Sequence, residues 1–474
     1  MSKKEREMGY QLIKGADRKF AIGHRYQTEK VADPEEYLEA VLRTERYLRK
    51  SMKESEDGIT WTNSKKSWRM VEIGDADQSF YSGSAGILYF YLKLFDVTGD
   101  PEHLRIVKEG AKYLARHWRE FFKQTPVFGD MNLKGSENGL YFGVAGIGMI
   151  LAEVYADIKD ENAKAGALEV VDYLLEVAVN DAEGVYWNGP TGMAMDGGII
   201  LMLMRAYRIF GEERIKEAIL KAAERYLNQG DETADGALEF NGCKEFGIPT
   251  SWPNYEFGTA GAGFLLTEIY DFTKDKRFLE AAERCTLYLK TIQVPQKKGY
   301  LIPHDVGGSE KTEPVFFLSS CHGPGGNAKL YYRLYEITGD KKWLDEIIQM
   351  VDGIESTGAP EIQSIGLWNT LCYCCGHAGL IQFFLGLYHG LGDERYLNLA
   401  RRAASVIMGE REDYDDGTTS WPMAFWRLKP EFLTEDIGYF DGCAGIASAL
   451  LQIYLQEKGQ FKWHRLPDDP FPEQ

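Results

Sequence analysis

Two short stretches rich in cysteine and glycine carry residues that can bind a metal ion. One begins at residue 320 and reads SCHGPGG, and the other begins at residue 371 and reads LCYCCGHAG. When the two are aligned on their Gly-x-x-Gly motifs, Cys321 and Cys374 fall at the same place, two residues before the first glycine. Cys375 falls one residue before that glycine, where the first stretch has His322. A repeated backbone would therefore bring three thiols to one point.

Three protein ligands with one open position are the arrangement of a catalytic zinc site, whereas a structural site is closed by a fourth. A single cysteine is more often a buried, inert residue, but thiols at matching repeat positions favour a metal. Cys372, two residues before Cys374, could close the site or could simply pack. The other three cysteines, Cys243, Cys285 and Cys443, are expected in the core.

Composition restricts the classes of function. The chain has 474 residues, with 44% hydrophobic and 27% charged residues and a net charge of −18, which disfavours non-specific binding to nucleic acid or anionic membrane. A cationic peptide partner is compatible with that charge. We find no apolar signal segment at the N-terminus, and the longest apolar run, 197–204, is too short to span a bilayer. An odd number of cysteines, seven, suits metal binding in a reducing compartment, so we predict a cytoplasmic protein.

A Gly-x-x-Gly motif recurs seven times, each time opening an apolar stretch. Such self-similarity indicates a repeat architecture, and the uneven spacing of the copies indicates a constant core with variable loops. The copies begin at Gly83, Gly143, Gly189, Gly258, Gly323, Gly376 and Gly442.

The repeats predict two layers of helices. Apolar helices follow the motifs, for example over 147–155, 262–272, 327–337 and 380–388, as expected of an inner layer. Amphipathic helices fit an outer layer, over 34–52, 102–121, 163–177, 213–226, 276–289, 342–351 and 394–407. We predict an all-α fold, an α/α toroid of seven inner and seven outer helices. Residues 1–34 would be an N-terminal extension and residues 35–474 a single domain.

The seven Gly motifs, with Cys-His-Gly in the fifth copy and Cys-Cys-Gly in the sixth, resemble the lanthionine synthetase C-like (LanC-like) family over roughly residues 35–457. The resemblance implies an α/α toroid with a central zinc ion. It implies that a Cys thiol of a peptide, or of glutathione, adds across a dehydrated Ser or Thr to form a thioether such as lanthionine. The implied partners are a dehydrated Cys-containing peptide and a dehydratase or kinase of the same pathway, with no nucleic acid and no membrane span.

By motif position, the resemblance assigns Cys321 and Cys374 as the first two zinc ligands. Cys375 stands where the family commonly has a histidine, which is similar to the Cys-Cys-Gly variant of some bifunctional lanthipeptide synthetases. Cysteine is also a zinc ligand, so the site keeps its competence for Zn²⁺.

The chain departs from active cyclases in its proton-transfer groups. Phe257 stands before Gly258, where a histidine is common, and no acidic residue approaches Gly189 more closely than Glu183. An arginine common shortly before the first cysteine is also missing. Two histidines are then the candidate catalytic residues for protonating the product, His322 first and His377 second, whereas His304 and Asp305 are weaker candidates.

Two other functions fit parts of the sequence. A zinc-bearing but non-catalytic LanC-like protein could bind or scaffold a peptide, as Phe257 suggests. An α/α-toroid carbohydrate enzyme would use paired carboxylates. Its candidates are Glu256, Asp196 and Asp441, with Trp252 and Trp421 to stack on sugars, but it leaves the cysteine pattern unexplained.

Overall fold

Helices of two kinds alternate along the chain. The structure is a computed structural model that describes residues 25–26, 28, 31–62, 77–123, 127–128, 131–132, 136–189, 191–244, 247–307, 314–362, 370–423, 433–462, 464 and 466–472. The inner helices are α2 (Ser84–Thr98), α4 (Val144–Ile158), α6 (Asp196–Phe210), α8 (Thr259–Thr273), α10 (Pro324–Thr338), α12 (His377–Leu391) and α14 (Cys443–Glu457). The outer helices are α1 (Pro34–Arg49), α3 (Pro101–His117), α5 (Glu161–Val177), α7 (Glu213–Asn228), α9 (Lys276–Thr291), α11 (Lys342–Ser356) and α13 (Glu394–Glu410).

The inner helices form a closed ring. Each contacts the inner helix before it and the inner helix after it, and α14 contacts α2 to complete the circle. Each outer helix packs on an inner one, and α14 at the end of the chain pairs with α1 at its beginning. The predicted α/α toroid of seven inner and seven outer helices is confirmed. Most of the predicted N-terminal extension, 1–34, lies outside the described residues.

The two layers differ because their sequences bury different amounts of surface. In α4 every residue over 144–154 is buried, as expected of a helix enclosed on all sides. The outer helix α7 buries only one stripe at helical spacing, formed by Ile215, Ile219, Ala222, Ala223 and Tyr226. Among the described helices, none combines the length and the apolar character needed to cross a membrane.

Turns between paired helices combine a glycine that ends the first helix with an aspartate that caps the second. Gly99 ends α2 with a positive φ of 63°, and Asp100 then accepts a hydrogen bond from the Glu102 N–H at the start of α3. Gly392 and Asp393 do the same between α12 and α13. These short turns hold each inner helix antiparallel to the outer helix that follows it.

The Gly-x-x-Gly motif lies inside the first turn of the inner helix, so those helices begin about three residues earlier than predicted. Gly323 and Gly376 cap α10 and α12 with extended φ angles of −140° and −135°, so no positive φ is required. The second glycine is required by close approach. A Cβ at Gly326 would lie 2.0 Å from the Ser320 carbonyl oxygen, and one at Gly379 would lie 2.1 Å from that of Tyr373.

The third repeat has a different register from the one predicted. Gly189 and Gly192 lie in the loop, and α6 begins only at Asp196. The glycine at the close-packed place is Gly198, where a Cβ would lie 2.2 Å from the Met193 carbonyl oxygen. The prediction placed the start of the helix at the first pair of correctly spaced glycines, Gly189 and Gly192. In the structure, the glycine that close backbone packing requires is the later Gly198.

Within the described residues, six antiparallel hairpins that the sequence analysis did not predict lie between outer helices and the inner helices that follow them. Their strands have two to four residues, too few to show the alternation of a strand. The pairs are β1 (Met52–Ser55) with β2 (Gly58–Trp61), β3 (Val127–Phe128) with β4 (Met131–Asn132), β5 (Val179–Asp181) with β6 (Gly184–Tyr186), β7 (Asp231–Glu232) with β8 (Leu238–Glu239), β9 (Val294–Pro295) with β10 (Tyr300–Leu301), and β11 (Glu412–Asp413) with β12 (Thr419–Ser420).

The C-terminal segment 466–472 packs among the inner helices. The buried carboxylate of Asp468 accepts hydrogen bonds from Lys329 Nζ at 2.9 Å and from the hydroxyls of Tyr141 at 2.8 Å and Tyr255 at 3.1 Å. Burial raises the pKa of Asp468, but Lys329 and the two hydroxyls outweigh burial and hold the pKa below its usual value. The segment therefore ties α10 to the loops before α4 and α8.

We predict that Asp468→Ala strongly destabilises the fold, because it leaves the Lys329 ammonium buried without its partner. Breaking a buried pair in this way costs about 3–5 kcal/mol. Urea denaturation would measure the loss, with the exposed Asp415→Asn as a control that changes stability by less than about 0.5 kcal/mol. Because the pKa of Asp468 is lowered in the folded state, its contribution is present above about pH 4 and is lost as the pH falls further. Equal stability of the two variants would contradict this role.

We also predict that the ring behaves as one domain, because α14 packs against both α1 and α2. Limited proteolysis should then give nicked rings whose fragments stay associated until the chain is denatured. Two halves that separate and each unfold cooperatively would contradict the single domain.

Candidate metal centre

The loops before the inner helices are linked by backbone hydrogen bonds into an arc around one centre. The linked residues lie two places before the capping glycine in the first, second, fourth, fifth, sixth and seventh repeats. The Glu256 N–H donates to the Cys321 carbonyl at 3.0 Å, and the Cys321 N–H donates to the Cys374 carbonyl at 3.1 Å. The Cys374 N–H donates to the Phe440 carbonyl at 2.8 Å. The series continues from the Phe440 N–H to the Tyr81 carbonyl and from the Tyr81 N–H to the Tyr141 carbonyl, both at 2.9 Å. These residues therefore occupy one structural place in successive repeats.

The structure brings the three predicted thiols together. The Sγ atoms of Cys321, Cys374 and Cys375 lie within 4.8 Å of one another, and each residue is buried. Thr370 Oγ1 donates to the Cys375 Sγ at 3.7 Å. Cys321 and Cys374 come from equivalent places in neighbouring repeats, which is the geometry expected from aligning the two motifs.

The electrostatics of this cluster suit a cation. Burial raises the pKa of Cys321 and of Cys374 well above the usual thiol value, and the neighbouring Cys375 raises both further. Three thiols this close do not ionise together unless positive charge lies among them, and a coordinated thiol is deprotonated. The N-termini of α10 and α12 begin within three residues of the thiols and favour negative charge there. The donor set therefore fits Zn²⁺.

Cys372 lies outside the cluster of three. Its Sγ is 3.3 Å from Thr370 Oγ1, and its side chain is fully buried. All seven cysteines are free thiols. Burial raises the pKa of Cys243 and of Cys443 to about 12, as expected of packed, unreactive thiols.

Glu256 lies beside Cys321 and His322, although the sequence analysis considered it only for a carbohydrate enzyme. A carboxylate oxygen of Glu256, the Cys321 Sγ and a ring nitrogen of His322 all lie within 4.8 Å of one another. Glu256 Oε2 is 3.7 Å from His322 Nε2. Burial, and then the charge of Cys375, raises the pKa of Glu256 to about 8. Its place in the fourth repeat, two residues before Gly258, was the signal that could have found it.

His322, the first candidate for proton transfer, is enclosed by rings. Phe257 stacks on it with centroids 5.8 Å apart and planes 8° apart, so the phenyl group fills the place of the missing histidine. His304 and Phe317 lie 4.5 and 5.6 Å from the same ring. The weaker candidate His304 therefore lies next to His322. The Nδ1 atom of His304 is 3.5 Å from Asp305 Oδ1.

His377, the second candidate, points elsewhere. It is the first residue of α12 and is fully buried. Its Nδ1 is 2.8 Å from the carbonyl oxygen of Thr370, and its Nε2 is 2.9 Å from that of Pro360. Burial lowers its pKa. His377 therefore holds two loops together, and it belongs to neither ligand cluster.

The carboxylates considered for a carbohydrate enzyme have separate partners. Asp196 accepts from the backbone N–H groups of Trp187, Asn188 and Gly189 at 3.0, 2.9 and 3.3 Å, and so fixes the loop before α6. Asp441 is hydrogen-bonded by the Ser82 hydroxyl. Of the three, Glu256 is the one with a carboxylate oxygen within 4.8 Å of a cluster thiol, that of Cys321.

Comparison with known proteins identifies the class. The sequence profile of the family described as "Lanthionine synthetase C-like protein" matches residues 74–466, most of the chain. The chain therefore belongs to the LanC-like family. No curated protein matches it in sequence.

Among solved structures, the chain is similar to nisin cyclase, with 13% sequence identity and a TM-score of 0.59 over 80% of this chain and 89% of that one. It is also similar to a cellobiose 2-epimerase from Spirochaeta thermophila, with 13% identity and a TM-score of 0.45 over 90% and 96% of the two chains. At 13% identity the likeness to nisin cyclase concerns the fold alone.

We predict one bound zinc per chain, because three buried thiols converge on one point. Elemental analysis of the purified protein should give a stoichiometry near one. The double variant Cys321→Ala with Cys374→Ala should lose the metal, while Cys243→Ala, which removes a buried thiol elsewhere, should keep it. Stoichiometric zinc in the double variant would end the assignment.

Proposed function

We propose that this LanC-like protein is a zinc-dependent cyclase that adds a Cys thiol to a dehydroalanine or dehydrobutyrine residue and forms a thioether. The observation that carries the proposal is the convergence of Cys321, Cys374 and Cys375 at the N-termini of two inner helices. Family membership supports the reaction class.

The three thiols would hold the zinc ion, which when bound supplies a positive charge that takes the substrate thiol as thiolate. The chain's own groups support this arrangement. The Thr370 hydroxyl donates to Cys375 and orients that ligand. Backbone hydrogen bonds at Cys321 and Cys374 fix the positions of the other two.

The addition requires one proton at carbon. The thiolate sulfur forms a bond to the β-carbon of the dehydrated residue, and the π electrons move to the α-carbon and its carbonyl as an enolate. A proton must then reach the α-carbon, and the proton released by the substrate thiol balances it. We assign His322 as the donor because one of its ring nitrogens lies within 4.8 Å of the Cys321 Sγ.

The surroundings of His322 favour this assignment. The residue is 6% exposed, and Phe257 and Phe317 cover its ring, so little water competes for the enolate. His304 adjoins His322 on the side towards Asp305 and could return a proton to it from solvent.

The expected partners follow from the same reaction. The substrate would be a dehydrated Cys-containing peptide, and a cationic one would suit the net charge of −18. A dehydratase or kinase of the same pathway would supply the dehydrated residues. Seven free thiols suit the reducing cytoplasm as the compartment.

A second function has one specific observation in its favour. Phe257 occupies the place of the histidine common in active cyclases and stacks on His322. A zinc-bearing protein that binds a dehydrated peptide without cyclising it would tolerate this change. The carbohydrate-enzyme alternative has no comparable support, because Asp196, Asp441 and Glu256 have different partners.

We predict that His322→Asn slows cyclisation while zinc stays bound, because a positioned acid contributes about 10²–10⁴-fold to a rate. Thiol consumption in a dehydrated Cys-containing peptide would measure the rate. His389→Asn, which changes a histidine hydrogen-bonded to Gln456 away from the site, is the matched control and should react at the parent rate. Cys375→Ala should lose both metal and activity.

Phe257→His should raise the rate, because it restores an acid-base group beside His322. Parent activity in His322→Asn would move the proton donor elsewhere. An inert parent that becomes active as Phe257→His would favour the peptide-binding function over the cyclase.

A further inference from the structure

Glu256 occupies the same structural place as two of the proposed zinc ligands. In three successive repeats the residue two places before the capping glycine is Glu256, then Cys321, then Cys374. Backbone hydrogen bonds join the three in that order, at 3.0 and 3.1 Å. The arc that positions two thiols therefore positions a carboxylate with them, and one cavity is lined by all three.

The carboxylate of Glu256 is buried without a partner that satisfies it. The residue is 5% exposed, and the side-chain contact recorded for it among the described residues is with the His322 ring. Glu256 Oε2 lies 3.7 Å from His322 Nε2, which exceeds hydrogen-bond length, and that ring carries a charge only when it is protonated. Buried carboxylates are normally paired with a cation or coordinate a metal. Asp468 obeys that rule through Lys329, whereas the buried Asp196 is satisfied by three backbone N–H groups.

We infer that Glu256 is the fourth protein ligand of the zinc ion, alongside Cys321, Cys374 and Cys375. Carboxylate oxygen is an established zinc donor. A carboxylate oxygen already lies within 4.8 Å of the Cys321 Sγ, and the side chain lines the same cavity as Cys374. The inference rests on the zinc binding of the proposed function.

A carboxylate ligand differs from a fourth cysteine in one useful respect. Zinc binds a soft thiolate ligand in preference to a hard carboxylate ligand. An incoming thiol can therefore displace Glu256, whereas it would not displace a fourth cysteine thiolate. The position would be closed to water in the resting protein and open to a thiol substrate. Glu256 would thus select thiols over water as the reactant.

The test measures metal binding and the ligand field, which are independent of turnover. Zinc affinity would be measured by competition with a chromogenic chelator in the parent and in Glu256→Gln, which keeps the shape of the side chain. We expect the affinity to fall by at least about 10-fold, the lower end for losing even an outer-shell partner. Asp441→Asn, a buried carboxylate one repeat beyond Cys374 and bound by Ser82, is the matched control and should bind zinc like the parent.

Cobalt(II) substitution then identifies the ligand. The d–d bands of the parent should change on addition of N-acetylcysteine, as sulfur replaces oxygen. Glu256→Gln should show a different starting spectrum and reach the same thiol-bound end point. Glu256→Cys should gain thiolate-to-cobalt charge transfer and no longer respond to N-acetylcysteine, because a fourth thiolate closes the site.

The outcomes distinguish zinc binding by Glu256 from the proposed cyclase function. Equal zinc affinity and equal cobalt spectra in parent and Glu256→Gln would overturn the inference and leave the proposed cyclase intact. Weakened binding with a changed spectrum supports the inference even if no thioether forms, in which case only the cyclase is lost. A parent that binds neither zinc nor cobalt would overturn both.

Discussion

The backbone hydrogen bonds that join one loop to the next around the ring are the interaction on which the site depends. They link residues from all seven repeats, because the Ala194 N–H of the third repeat donates to the Glu256 carbonyl, and Cys321 and Cys374 are two consecutive members. They form only because the inner helices approach closely at their N-termini, where Gly326 and Gly379 leave no room for a Cβ. Cysteines that are 53 residues apart in the chain thereby become neighbours.

The same packing sets the charge of the site. Inner helices that begin beside the thiols direct the positive ends of their dipoles towards them. Buried thiols and a nearby buried carboxylate favour a cation, and within the part of the chain that the structure describes no lysine or arginine is recorded beside them. The buried Lys329 instead pairs with Asp468 of the C-terminal segment, which also binds Tyr141 and Tyr255 on the wall of the thiol cavity. The segment supports that wall without entering the ligand set.

The sequence predicted the ring and the thiol cluster because both depend on local repetition. Matching cysteines before matching glycines become neighbours in any closed ring of such repeats. The register of the third repeat could not be predicted, because the close approach of the Met193 carbonyl that requires Gly198 appears only in the folded protein. The contact between Asp468 and Lys329 joins residues 139 positions apart and leaves no periodic signal.

Glu256 shows what a family comparison can hide. The common histidine position of the fourth repeat holds Phe257, which suggests that this repeat contributes nothing to the chemistry. The structure places an acidic side chain one residue earlier, beside Cys321. On our inference, the functional group of this repeat differs from the common histidine in both type and position, and the geometry of the loop is what points to it.

X-ray absorption at the zinc edge of the purified protein tests the central claim most directly, because it counts the atoms bound to the metal. The account predicts three sulfur atoms at about 2.3 Å and one oxygen at about 2.0–2.2 Å. Four sulfur atoms would place Cys372 or another thiol in the site and make it structural. A shell of nitrogen and oxygen without sulfur would contradict the convergence of the three thiols on a metal.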